Sequence, residues 1–160
     1  MHEDADSASA AYRIVSGGIG GGNALEGTLI RKGRRALLGF SLGVKPNGDS
    51  LWDFSSATGC SFWAKGSGKL NVSFECDTID KMDEYKHYSA DIVLQTDWQH
   101  YTLSFDSLTF YKDLNPDPDI TWLESARSIK RIEFNALEKD TVQFWLDDLA
   151  IEGVDFSAVY

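Results

Sequence analysis

Apolar and polar side chains alternate in short runs along most of this chain, and glycine, asparagine, aspartate or serine separates the runs. Leu70-Asn71-Val72-Ser73-Phe74-Glu75-Cys76 alternates without a break, as do Tyr101-Thr102-Leu103-Ser104-Phe105 and Ile132-Glu133-Phe134-Asn135-Ala136. A period of two sends successive side chains to opposite faces of an extended strand. The same rhythm predicts further strands over 11–15, 24–30, 37–42, 59–64, 87–94 and 143–151. About nine short strands at this spacing predict an all-β fold, an antiparallel β-sandwich of jelly-roll type. Helix is expected only over 120–127, with Asp119 as its amino-terminal cap. No repeat or boundary divides the chain, so residues 1–160 read as one domain.

Two local features refine this pattern. In Phe144-Trp145-Leu146-Asp147-Asp148-Leu149-Ala150-Ile151 the apolar phase shifts by one residue, which predicts a bulge at Asp147-Asp148 and turns Trp145 away from Phe144 and Leu146. The run Gly17-Gly18-Ile19-Gly20-Gly21-Gly22 leads into another alternating segment rather than a helix, so it reads as an inter-strand loop and not a phosphate loop. Gly66-Ser67-Gly68 reads as a hairpin turn joining the strand at 59–64 to that at 70–76. Pairing about Gly68 sets Ala64 opposite Val72, Phe62 opposite Phe74 and Cys60 opposite Cys76. The two cysteines are then either a disulfide or a pair of buried thiols.

If Val72, Phe74, Tyr101, Leu103, Ile132 and Phe134 form the core, then Asn71, Ser73, Glu75, Asp77, Thr102, Arg131, Glu133 and Asn135 form an outer surface. Amides and carboxylates on rigid strands suit the hydroxyls of an extended sugar, and aromatic rings suit its apolar CH faces. Composition narrows the partner. With 25 acidic against 15 basic residues the formal net charge is −10, which argues against nucleic acid. The one dense basic stretch, Arg31-Lys32-Gly33-Arg34-Arg35, reads as a solvated loop. No apolar run approaches the ~20 residues of a membrane-spanning helix, so no membrane partner is expected.

Three segments carry a family resemblance. Gly59-Cys60-Ser61-Phe62-Trp63-Ala64-Lys65-Gly66, Thr96-Asp97-Trp98-Gln99-His100-Tyr101-Thr102-Leu103-Ser104-Phe105 and Phe144-Trp145-Leu146-Asp147-Asp148-Leu149 resemble, in order and spacing, strands of bacterial carbohydrate-binding modules. The resemblance runs from about Asn23 to Gly153 and is to family 11 above all, with a weaker one to the domain of mitochondrial complex I intermediate-associated proteins. It implies a secreted, non-catalytic jelly-roll module that binds β-1,4- or mixed-linkage β-glucan and targets an attached glycoside hydrolase. By position it implies ligand contacts at Glu84, His87, Asp113 and Glu133, with Asn135 beside them. The family's stacking tyrosines fall on Leu114, Ala136 and about Arg35, so stacking passes to Trp145, Tyr85, Tyr88, Tyr111 or Trp52. A structural calcium is implied at Asp147, with Asp148 adjacent and Glu3, Asp4 and Asp6 as the acidic residues at the other end.

Two other functions are open to the same fold. One is a structural or protein-interaction domain that binds no glycan. The other is a jelly-roll β-glucanase in which Glu75 and Asp77, sharing one strand face, act as nucleophile and acid, with Asp80 in the third position.

Overall fold

The computed structural model describes residues 9–31, 36–41, 50–80, 87–110, 119–137 and 141–154. Its strands are β1 (Ser9–Ser16), β2 (Asn23–Ile30), β3 (Leu37–Ser41), β4 (Gly59–Gly66), β5 (Lys69–Cys76), β6 (Ser89–Val93), β7 (Gln99–Ser104), β8 (Ile129–Ala136) and β9 (Thr141–Glu152). Each of the nine alternating runs is a strand. Two short helices, α1 (Asp77–Asp80) and α2 (Trp122–Ala126), join the set. The strands make two antiparallel sheets, a first in the order β1-β2-β9-β4-β7 and a second in the order β3-β8-β5-β6.

The inward residues of each strand meet between the sheets. Phe62, Phe74, Phe134, Phe144, Leu29, Leu70, Val72 and Ile132 are fully buried there. Phe62 of the first sheet stands edge-on to Phe134 of the second, ring centres 5.5 Å apart, and Phe134 stacks on Phe144 at 6.2 Å. Burying each such side chain is worth about 1.5–3 kcal/mol, so this layer is the main favourable contribution to folding. Gly27 belongs to it by omission: a Cβ there would meet the far end of the Phe144 ring at 2.5 Å, so the ring occupies the space a side chain would need.

The expected hairpin between 59–64 and 70–76 is not formed. β4 pairs with β9 and β7, and β5 pairs with β8 and β6, so the link at Gly66 and Gly68 crosses from one sheet to the other. Both glycines hold positive φ (148° and 94°), and Gly66 lies so near the Gln143 carbonyl that no side chain fits. Alternation records which face of a strand is buried but not which strand lies beside it. A crossing link and a hairpin therefore look alike in sequence. Cys60 and Cys76 lie in different sheets, both fully buried, and are not bridged.

The helix over 120–127 is shorter than expected and its cap differs. Thr121 caps it, accepting the Glu124 amide at 3.2 Å while Glu124 accepts the Thr121 amide at 2.8 Å. This reciprocal box satisfies two helix-end donors, which Asp119, two residues too early, could not do.

The bulge in β9 is present. Two steps along β4, from Ser61 to Trp63, oppose three along β9, from Ala150 to Asp147, and Asp148 takes a positive φ of 50°. Beyond the bulge Ile151 returns to the core, whereas Leu149 is 39% exposed. The glycine run is the loop between β1 and β2. Asp147 Oδ2 accepts the Ile19 amide at 2.7 Å and leaves no room for a side chain at Gly18.

Burial pushes the Cys60 thiol up to about 12, so its reactive thiolate is scarce at neutral pH. A dithiobis-nitrobenzoate titration without reductant should therefore detect no thiol in the native protein and two after unfolding in concentrated guanidinium. Silence after unfolding would show a disulfide instead.

Candidate functional site: the polar face of the second sheet

The residues that alternate with the core positions of β5 and β8 stand directly opposite one another. Asn71 pairs with Asn135, Ser73 with Glu133 and Glu75 with Arg131. On one flank Asn71 and Ser73 oppose Asp91 and Ser89 of β6; on the other, Asn135, Glu133 and Arg131 oppose Leu37, Gly39 and Ser41 of β3. The outward face of the second sheet is thus a ladder of hydrogen-bonding groups across its central strands.

Those groups are wired together. Asn71 Nδ2 donates to Asp91 Oδ1 at 2.7 Å, and Asn135 Nδ2 donates to Ser73 Oγ at 3.2 Å. Ser73 Oγ donates to Glu133 Oε2 at 3.3 Å, and Arg131 Nε donates to Glu133 Oε1 at 3.0 Å while also pairing with Glu75. Desolvation works against the Arg131 charge, but the Glu133 and Glu75 carboxylates outweigh it and hold the guanidinium firmly charged. Glu133, Asn135, Ser73 and Glu75 are buried, whereas the Arg131 side chain is 45% exposed and Asp91 faces solvent. The buried members hold the accessible ones in fixed positions, so a ligand would meet preset groups instead of ordering them on binding.

The expected site residues divide between several places. Glu133 and Asn135 lie together in this ladder. His87 is buried just ahead of β6, and its Nδ1 accepts the Cys76 amide at 3.2 Å, so that nitrogen is used internally. Tyr88 is tied inward: its hydroxyl donates to the Ile120 carbonyl at 2.8 Å and its ring stacks on Phe110 at 4.6 Å. Burial raises its phenol above the usual range. Trp52 is a core residue, 6% exposed, and offers no stacking face. Glu84, Tyr85, Tyr111 and Asp113 lie outside the described residues.

Trp145 corrects the expected site. It does point outward, but from β9 of the first sheet, so the whole sandwich separates it from Glu133 and Asn135. Outward direction is legible from alternation; which of two sheets a strand joins is not. Arg131, Asn71 and Asp91 are the accessible groups of the ladder that the family positions did not single out. Arg131 and Asn71 were legible as outward residues, and Asp91 became visible only once β6 was seen beside β5.

Asp147 does not gather a metal-binding set among the described residues. Its Oδ2 accepts the Ile19 amide and its Oδ1 the Asp148 amide at 2.9 Å. No group of three His, Cys, Asp or Glu side chains suited to a metal occurs among the described residues, whereas calcium takes six to eight oxygens. Glu3, Asp4 and Asp6 lie outside them.

The paired-carboxylate geometry of a glucanase is also missing. β5 ends at Cys76, and Asp77 opens α1 and pairs with Lys130 at 3.1 Å, while Glu75 is held by Arg131. The strand that was to align Glu75 with Asp77 on one face stops between them.

Arg131 pairs with two buried carboxylates, so Arg131→Met should destabilise the fold by about 2–3 kcal/mol. Adding Glu133→Gln should restore part of that loss. Urea denaturation of the single and double variants measures both effects, and additive losses would mean that the two residues are not coupled.

The sequence matches no family model and no curated protein. Solved structures do match. The family 11 carbohydrate-binding module of a cellulosomal cellulase of Clostridium thermocellum aligns over 93% of this chain and 84% of its own, at 20% identity and a TM-score of 0.66. The family 11 module from Clostridium thermocellum in complex with a β-1,3-1,4-mixed-linked tetrasaccharide aligns over 93% and 85%, at 21% identity and a TM-score of 0.69. A family 30 carbohydrate-binding module aligns over 90% and 74%, at 16% identity and a TM-score of 0.65. The chain thus has the fold of the family 11 carbohydrate-binding modules, the family its strand motifs resemble.

Proposed function

We propose that the protein is a non-catalytic glycan-binding module that holds a β-linked polysaccharide, of the β-1,4- or mixed-linkage glucan class, on the outward face of its second sheet. The observation that carries this reading is the prearranged ladder of amide, carboxylate and guanidinium groups across β6, β5 and β8. Such groups match the alternating donor and acceptor character of sugar hydroxyls. A chain lying across the strands would meet Asp91, Asn71 and Arg131 at their accessible ends. The shared fold supports the reading, since a module of that fold was solved with a mixed-linkage tetrasaccharide bound. In a secreted polysaccharide-degrading protein the module would raise the local concentration of an attached glycoside hydrolase at its substrate.

One observation favours a second reading, a protein-interaction domain. Edge strand β1 exposes Tyr12 (66%) and Ile14 (63%), an apolar pair on an open sheet edge.

Affinity electrophoresis decides between them. Migration should be retarded in gels containing barley β-glucan, and Asn71→Ala or Asp91→Ala should weaken retention about fivefold, as expected for one lost hydrogen bond. Unchanged migration in β-glucan, xyloglucan and xylan gels would leave the protein-interaction reading standing.

A further inference from the structure

The outward face of the first sheet carries chemistry that the ladder on the second does not use. Three of the five tryptophans, Trp63, Trp98 and Trp145, lie half-buried there, while Trp52 and Trp122 pack with the core. Trp63 and Lys65 alternate with the fully buried Phe62 and Ala64 of β4, and Trp145 alternates with Phe144 and Leu146 of β9. Lys65 stands directly opposite Trp145 across the β4–β9 pair. Its ammonium lies 5.0 Å from the centre of the Trp98 ring and 5.3 Å from that of Trp145. Trp63, two residues away on the same face, tilts against the exposed His100 at 5.1 Å. One cation therefore lies between two indoles, with a third on the same strand face.

The charges nearby sharpen the point. Glu26, opposite Trp145 on the next strand, has both oxygens occupied: Arg13 Nε at 2.9 Å and Nη2 at 3.2 Å, and Gln143 Nε2 at 2.8 Å. Those bonds, Arg13's first, hold its carboxyl below the usual carboxylate range. Among the described residues no carboxylate pairs with Lys65. In a chain of net charge −10, a lysine whose ammonium lies over two indole rings gives this face a cation at its aromatic centre. Half-exposed rings on a sheet face suit contact with a flat apolar ligand.

We infer that this face is a second binding surface, for a polysaccharide carrying uronic acids. The CH face of a pyranose would lie on Trp145 or Trp98, and the sugar carboxylate would pair with Lys65 between them. Stacking gives affinity for sugars in general. The uncompensated ammonium selects the acidic one. This inference shares with the first face only the class of ligand, and the two surfaces lie on opposite sides of the sandwich.

Calorimetric titration with glucuronic-acid-substituted xylotetraose, and with unsubstituted xylotetraose as control, tests it. The acidic oligosaccharide should bind about tenfold more tightly than the neutral one, and raised salt should erase the difference. Lys65→Met should remove the preference while keeping the residual stacking affinity, Lys65→Arg should retain it, and Trp145→Phe should keep more affinity than Trp145→Ala. Asn71→Ala and Asp91→Ala should change nothing here, which separates this surface from the β-glucan face. Equal affinity for the two oligosaccharides, no binding of the acidic one, or indifference to Lys65→Met in a variant with native circular dichroism would overturn the inference.

Discussion

The edge-on contact of Phe62 with Phe134 across the sandwich is the constraint on which the other features depend. It joins an interior strand of each sheet, β4 and β8, and fixes the phase of both. Because a strand alternates with a period of two, burying Phe62 commits Trp63 and Ser61 to the outside of the first sheet. Burying Phe134 commits Glu133 and Asn135 to the outside of the second. A one-residue slip in either strand would bring charged groups into a layer that holds Phe74, Phe144 and Ile132 fully buried. The cost of that slip is large, and so both outer faces are rigidly specified.

The two faces are then unlike. On the second sheet the outward residues bond mainly with one another, through Ser73, Glu133 and Arg131, so their geometry is set before any ligand arrives. On the first sheet two indole rings flank the Lys65 ammonium beside the Arg13–Glu26 pair, and attraction there comes from ring faces and the Lys65 charge. The expected site united stacking and hydrogen bonding in one groove. In the folded molecule these functions lie on opposite sides, because β8 and β9, neighbours in sequence, belong to different sheets.

Much of this was legible in the chain before folding. Alternation identified all nine strands, the outward direction of Trp145, and the bulge where the phase of β9 shifts. Sheet membership was not legible: the Gly66-Ser67-Gly68 link reads as a hairpin but crosses between layers, and Cys60 and Cys76 are separated with it. Nor was the depth of Glu133, since its alternation promises an outward direction, while its burial comes from neighbours such as Ser73 and Arg131 that sit more than fifty positions away or two positions along. The α2 cap passed from Asp119 to Thr121 because only Thr121 stands three residues before Glu124. Local periodicity specifies faces well; contacts between distant segments specify neighbours, and those appear only in the fold.

The most direct measurement of the central claim is amide and indole chemical-shift mapping on addition of a mixed-linkage β-glucan tetrasaccharide. The account predicts saturable shifts at Asn71, Ser73, Asp91 and Arg131, on β5, β6 and β8, at a lower ligand concentration than any shift of the indole signals of Trp63, Trp98 and Trp145. Shifts confined to those indoles, or no saturable shift on the second sheet, would contradict it.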